Sequence, residues 1–202
     1  MALGNKIILC KYISAWALSE SGCILYGISV NPNTGKIDRC FNMNITLYET
    51  CTTFRTLIQS FNISTNAFAM RYIFKRLAWM GSKIFSQIIT VVFLALWHGF
   101  LFGYYNTFAL EIVMVIAERD WETIITKYKQ KSLTLSRILN NKHFNMFLWL
   151  MMRLHILYMF SYAFTSFGYL QMNQWNYILS QLYYCGHFIY FGWIPLSLLF
   201  NI

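Results

Sequence analysis

The sequence predicts an all-α fold, a polytopic bundle of membrane helices. Three observations carry this. Of 202 residues, 57% are apolar and 19% aromatic, while only 11% are charged, against roughly 25% in a soluble domain. Lys83 and Glu111 bracket 27 residues free of Asp, Glu, Lys and Arg. No such residue follows Arg153 through Ile202, 49 residues on. A spanning helix needs about 20 mostly apolar residues, so the first run holds one span and the second, with its turn residues, two. A disordered tail, a charged coiled coil and an ordinary water-soluble domain are excluded.

The elements follow in order. Residues 6–30 carry Lys6, Lys11 and Glu20 and are otherwise mostly apolar or small. Ile7, Ile8, Tyr12, Ala15, Trp16 and Ser19 form one helical stripe, which predicts a membrane helix with one polar flank. Residues 31–40 are rich in Asn, Pro and Gly and predict a water-facing loop. Residues 41–66 alternate apolar pieces with Thr, Ser and Asn and are expected at the membrane surface. Residues 67–82 predict a short helix with Arg71, Lys75 and Arg76 on one side, a basic amphipathic pattern suited to the interface. Ile84 to Ala117 is interrupted only by Glu111. As one helix these 34 residues would run about 51 Å, so the run must tilt, break near Gly99 or Gly103, or leave the membrane before Glu111. Residues 118–142 are basic and exposed. Residues 144–170 form a span, 171–175 a turn and 176–200 the last span. Trp79, Trp121, Trp149 and Trp175 fall near span ends, as an interfacial aromatic belt would.

The net charge of +9 does not point to nucleic acid, because the basic residues flank apolar runs instead of lining one soluble face. Anionic lipid headgroups, topogenic charge or an anionic substrate at the membrane surface fit better. The cysteines, at 10, 23, 40, 51 and 185, form no C-x-x-C pair, so neither a disulfide frame nor a zinc site is signalled. The residues show no glycine-rich phosphate loop and no G-x-S-x-G elbow. The first apolar stretch begins almost at once and the last ends at the final residue, which suggests a fragment or short isoform of a larger membrane protein.

His98 is the most informative residue. It has 14 uncharged residues before it in its run and 12 after, so a single span would hold it near the bilayer midplane. Ionisable groups at that depth are costly and usually functional. Low dielectric favours a neutral imidazole, a competent general base. Trp97 would wall off lipid, and Gly99 would admit a substrate close to the backbone. The alternative is a packing histidine hydrogen-bonded to a neighbouring helix. Asn62 lies in a polar island, Ser60 to Asn66. Its amide suits orienting a histidine or holding an oxyanion, but residue chemistry alone favours a turn or cap, where Asn and Ser usually go. Glu111, Arg153, His155 and His187 are the other polar groups in apolar surroundings. Glu111 fits a helix end, Arg153 fits snorkelling to the interface, and the two histidines fit partners on neighbouring helices. No paired ligand spacing supports a metal.

Three ordered pieces carry a resemblance: Ser60-Phe61-Asn62 through Asn66, Arg71-Tyr72-Ile73-Phe74-Lys75-Arg76-Leu77, and Leu94-Ala95-Leu96-Trp97-His98-Gly99. Trp175-Asn176-Tyr177 and Leu182 to His187 extend it. The chain resembles the membrane-bound O-acyltransferases (MBOAT), in particular their lysophospholipid-acylating branch. The resemblance implies a partial MBOAT fold, with residues 1–202 forming one membrane domain from the C-terminal portion of a longer enzyme. It implies a multi-pass protein of the endoplasmic reticulum membrane acting in phospholipid metabolism. His98 and Asn62 would be the catalytic pair. Acyl-CoA would be the co-substrate, with no other cofactor and no metal, and a lysophospholipid, lysophosphatidylcholine first, the acceptor. Trp97, Arg71, Lys75, Arg76 and Glu111 are candidate substrate-binding residues, the basic ones toward coenzyme A phosphates. Two other readings stay open: an acyltransferase with a sterol, diacylglycerol or protein acceptor, and a non-catalytic polytopic membrane fragment.

Overall fold

A computed structural model describes residues 2–199. The elements are α1 (Ala2–Leu25), α2 (Ile45–Thr50), α3 (Phe54–Ser60), α4 (Ile63–Tyr72), a 3-10 helix (Phe74–Met80), α5 (Lys83–His98), α6 (Phe102–Lys131), α7 (Leu133–Asn140), α8 (Lys142–Tyr169), α9 (Met172–Gln181) and α10 (Cys185–Leu199). Among the described residues, β structure amounts to the isolated bridges Val30–Ile37 and Met43–Phe61. The fold is all-α, as expected.

The long apolar run does break, and it breaks at glycine. Gly99 closes α5 at φ 126°, ψ −176°, a conformation that favours a residue without Cβ. Three boundaries differ from the expectation. Residues 41–66 hold α2, α3 and the start of α4, because the Asn and Thr side chains that suggest loop are helix caps. Asn44 Oδ1 accepts from Leu47 N at 2.9 Å, and Thr53 Oγ1 from Thr56 N at 3.1 Å. The basic helix expected over 67–82 is divided between the end of α4 and the 3-10 helix. The last span is not one helix. α9 begins at Met172 and yields to α10 where Tyr183 and Tyr184 take left-handed backbone at φ 50° and 48°.

The longest helices, α6 and α8, pack against each other at the centre; α5 and α10 lean on α6, α1 and α9 on α8. Tyr162, Leu110, Met114, Ile156, Met159 and Leu179 are the largest fully buried apolar side chains. Small residues set the approach. A Cβ on Gly103 would collide with the Ser166 carbonyl, and one on Gly186 with the Tyr162 ring, the close helix contact that small residues permit in lipid. A polar seam runs through this packing. Thr107 Oγ1 donates to Ala163 O at 2.9 Å, Asn106 Nδ2 to Ser166 Oγ at 3.1 Å, and His187 bridges Asn106 Oδ1 at 3.0 Å and Tyr162 Oη at 2.5 Å. His155 meets Tyr190 Oη at 2.7 Å. Both histidines thus have partners on other helices, as their sequence position suggests.

Two expectations are corrected. Trp175 is buried against Gly103 and stacks with Phe102 at 6.2 Å, so it belongs to the core and not to an interfacial belt. Arg153 does not snorkel. It is buried and pairs with Glu49 at 3.1 Å. α1 and α8 are the described helices long and apolar enough to cross a membrane; α5 and α10 are apolar but shorter.

Candidate active site

Asn62 sits where α3 ends and α4 begins. Its backbone is left-handed, φ 50°, ψ 39°, and its side chain makes no cap hydrogen bond to α4. Asparagine tolerates this conformation better than most residues. The surrounding carboxamides and backbone hold it. Asn66 Nδ2 donates to Ile58 O at 2.9 Å and Phe61 O at 3.0 Å. Asn42 receives Ile63 N on its carbonyl at 3.2 Å and Ser64 N on Oδ1 at 3.0 Å. Asn44 N donates to Ser60 O at 2.7 Å. The strap 42–44 therefore lies beside the turn and takes over capping. The turn reading of Asn62 is correct for its backbone, while its side chain is left to face the cavity described next.

His98 is the last residue of α5. Its ring packs against Tyr104 (5.4 Å), Phe108 (5.5 Å) and, edge-on, Phe167 (5.0 Å between centroids). Because α5 ends there, the histidine stands at a helix break within the apolar run instead of midway along one span.

One cleft joins the two. It is an open cleft, and Asn62, Asn66, His98, Thr107 and Glu111 are its polar lining. Leu9, Tyr12 and Trp16 of α1 close one wall, and Phe160, Phe164 and Phe167 of α8 another. The spacing of Tyr12 and Trp16 matches the stripe legible in α1. Glu111 does not mark a helix end: it lies inside α6, one turn beyond Phe108. The cleft thus brings an imidazole, two carboxamides, a hydroxyl and a carboxyl into one mainly apolar space. Such a space, apolar with a few convergent polar groups, is the usual form of a small-molecule site.

The sequence pattern of MBOAT, the membrane-bound O-acyltransferase family, matches residues 1–161. The chain belongs to this family. It is 38% identical to lysophospholipid acyltransferase 5 of Homo sapiens over 205 aligned residues, covering 99% of this chain and 40% of that protein. The Bos taurus protein of that name is 37% identical with the same coverage, and the Caenorhabditis elegans one is 30% identical over 95% of this chain. The chain spans about two fifths of the length of these curated relatives.

Four other candidate residues of this MBOAT chain lie off the cleft lining. Trp97 is 68% exposed and leans on Phe93 at 6.3 Å, pointing away from the space its neighbour His98 faces. Successive helical residues diverge by about 100°, so adjacency in sequence separates them. Arg71, Lys75 and Arg76 are exposed on α4 and the 3-10 helix. The site also holds residues that the sequence reading passed over. Asn66 follows Asn62 by one helical turn, an i, i+4 spacing that is a legible signal. Thr107 and Phe108 precede Glu111 by four and three residues on α6, the same signal.

Proposed function

We propose that the chain carries the catalytic pair of a lysophospholipid O-acyltransferase of the endoplasmic reticulum membrane, with acyl-CoA as donor and lysophosphatidylcholine as the first acceptor to test. The observation that supports this is the shared cleft: His98 and Asn62, 36 positions apart, line one apolar space. The family membership and the names of the relatives fit it. In this reading residues 1–202 are one membrane domain, the C-terminal portion of a longer acyltransferase, and coverage of two fifths fits a part of such a protein.

In this reading the His98 imidazole accepts the proton of the sn-2 hydroxyl as that oxygen attacks the thioester carbonyl. The carbonyl oxygen becomes an oxyanion, and the Asn62 amide donates to it or steadies the ring. Collapse breaks the C–S bond. The coenzyme A sulfur leaves and takes the proton from the imidazolium, so atoms and charge balance. A thiol of pKa about 8.5, with cysteine as the guide, leaves without strong acid assistance. The aromatic walls hold the acyl chain and keep water from the thioester. Glu111 faces the acceptor as a polar contact. The thioester supplies the activated acyl group, so the proposed reaction uses no metal or prosthetic group.

The test is transfer of labelled acyl groups from acyl-CoA by membranes bearing the chain, and by the same segment in a full-length relative. Replacing His98 by Ala should reduce transfer to lysophosphatidylcholine by at least about 10²-fold, the typical contribution of a general base, with membrane abundance unchanged. Asn62→Ala should cost a similar order, as lost oxyanion donors do. Full activity in His98→Ala would remove the base from the scheme. Acylation of a sterol, diacylglycerol or peptide in place of the lysophospholipid would reassign the acceptor.

A further inference from the structure

The junction between α2 and α3 is gripped from two sides by charged residues far away in sequence. From α8, Arg153 Nη1 donates to the Cys51 carbonyl at 3.3 Å and to Cys51 Sγ at 3.2 Å. Its Nη2 reaches Glu49 Oε2 at 3.1 Å, and the guanidinium carbon lies 5.9 Å from the Tyr48 ring centre. Cys51 is the residue that ends α2. From α6, Glu118 places Oε1 on Phe54 N at 2.7 Å and Oε2 on Arg55 N at 3.1 Å. These are the first two amides of α3, which have no partner inside their own helix. A carboxylate there also meets the positive end of the helix dipole. Arg153 and Glu118 thus converge on the five residues 51–55.

What hangs from this junction is the site. α3 has seven residues, too few to persist alone, since isolated helices below about 12 residues are marginal in water. Its direction is therefore set by what holds its ends together with the core packing of Phe54 and Leu57. Phe54, Leu57 and Ile58 face the cleft, and α3 runs directly into Phe61 and Asn62, which face it as well. Neither charged residue lines the cleft.

We propose that Arg153 and Glu118 are positioning residues, a clamp of opposite charges on the α2–α3 junction that sets the place of Asn62 on the cleft wall. The catalytic consequence rests on the acyl-transfer reading of Asn62; the clamp itself does not, and it is tested separately. Hydrogen exchange of the full chain in lipid nanodiscs, followed by mass spectrometry, reads it directly. In Glu118→Ala, peptides covering 54–62 should exchange about tenfold faster, which corresponds to roughly 1.4 kcal/mol, with α8 and α10 peptides unchanged. The milder Arg153→Lys should give a smaller effect in the same segment, and Glu118→Gln, which keeps an acceptor, should restore much of the protection. Unchanged exchange at 54–62, or equal acceleration throughout the chain, overturns the clamp.

The kinetic test is a double-mutant cycle. Glu118→Ala should lower kcat about tenfold at constant KM for acyl-CoA when Asn62 is present, and cost nothing further in an Asn62→Ala background. A general loss of stability would multiply the two defects instead, and that result overturns positioning through Asn62. If Asn62→Ala alone leaves transfer intact while exchange at 54–62 responds to Glu118→Ala, the clamp is upheld and the catalytic role of Asn62 is overturned.

Discussion

Asn66 shows how much of the site depends on one amide. Its two Nδ2 hydrogens serve two carbonyls, Ile58 O and Phe61 O, that flank the turn on which Asn62 takes its left-handed backbone. Asn66→Asp is nearly isosteric yet replaces both donors by acceptors and leaves the two carbonyls unpaired. Asn66 is half-buried, so the two losses together cost about 1–3 kcal/mol, the scale of one fully buried unpaired group, and the variant should unfold in detergent micelles at a lower temperature than the parent. An unchanged midpoint would mean the amide contributes nothing to the turn. The residue scale is also where sequence reading did best and worst. His98, Asn62 and Glu111 stood out because polar groups in charge-free sequence are conspicuous, and the cleft gathers all three. Arg153 misled because its partners Glu49 and Cys51 lie about a hundred positions away, and no local pattern encodes a partner at that distance. Trp97 misled because contiguity in sequence is divergence on a helix.

At the scale of elements, the break at Gly99 was legible and the break at Tyr183–Tyr184 was not. A glycine in an over-long apolar run announces a stop. Two tyrosines announce strand or helix, yet both take positive φ in the turn that closes α9, where Tyr183 N donates to Ser180 O and Tyr184 N to Leu179 O. The short helices α2 and α3 are harder to read because their Asn and Thr caps look like loop and their remote charges leave no local mark, although Phe54, Leu57, Ile58 and Phe61 keep the i, i+3, i+4, i+7 spacing of a helix face. The α6–α8 contact offers a sharper test of element packing. Gly103 sits against the Ser166 carbonyl with no room for a methyl group. Ser166 also holds Thr107 at 2.8 Å and Asn106 at 3.1 Å. Gly103→Ala must push α6 from α8 and strain that polar seam. Overpacking of this kind costs typically 1–3 kcal/mol. Gly192, with open space around its Cβ position, is the control. Thermal unfolding of Gly103→Ala below that of Gly192→Ala is the expected order, and the reverse would mean the two helices slide apart without penalty.

For the molecule as a whole, the outer surface matches a lipid surrounding. Met146, Phe147, Leu150, Met151 and Leu154 on α8 are all exposed, as are Phe188, Ile189 and Leu198 on α10 and Ile7 and Leu18 on α1. In water such contiguous apolar area would drive association; in a bilayer it is the solvent-matched face. Lys127, Lys129 and Lys131 end α6 beyond its apolar half, and at about 1.5 Å per residue its 30 residues make a rod of roughly 45 Å, longer than a hydrocarbon core of about 30 Å. Charged side chains are costly among acyl chains, so three lysines at one end place that end with the headgroups. These two features predict different responses to extraction. Alkaline carbonate, which strips proteins held by charge, should leave the chain in the membrane pellet because α1 and α8 are embedded. Replacing Lys127, Lys129 and Lys131 by Gln should leave the pelleted fraction unchanged and weaken only the salt-sensitive attraction of the α6 end to anionic vesicles, by about 1 kcal/mol per lysine near the surface. Release of the parent chain by carbonate would contradict its placement within the bilayer, and unchanged salt sensitivity in the Gln variant would remove the lysines from headgroup contact.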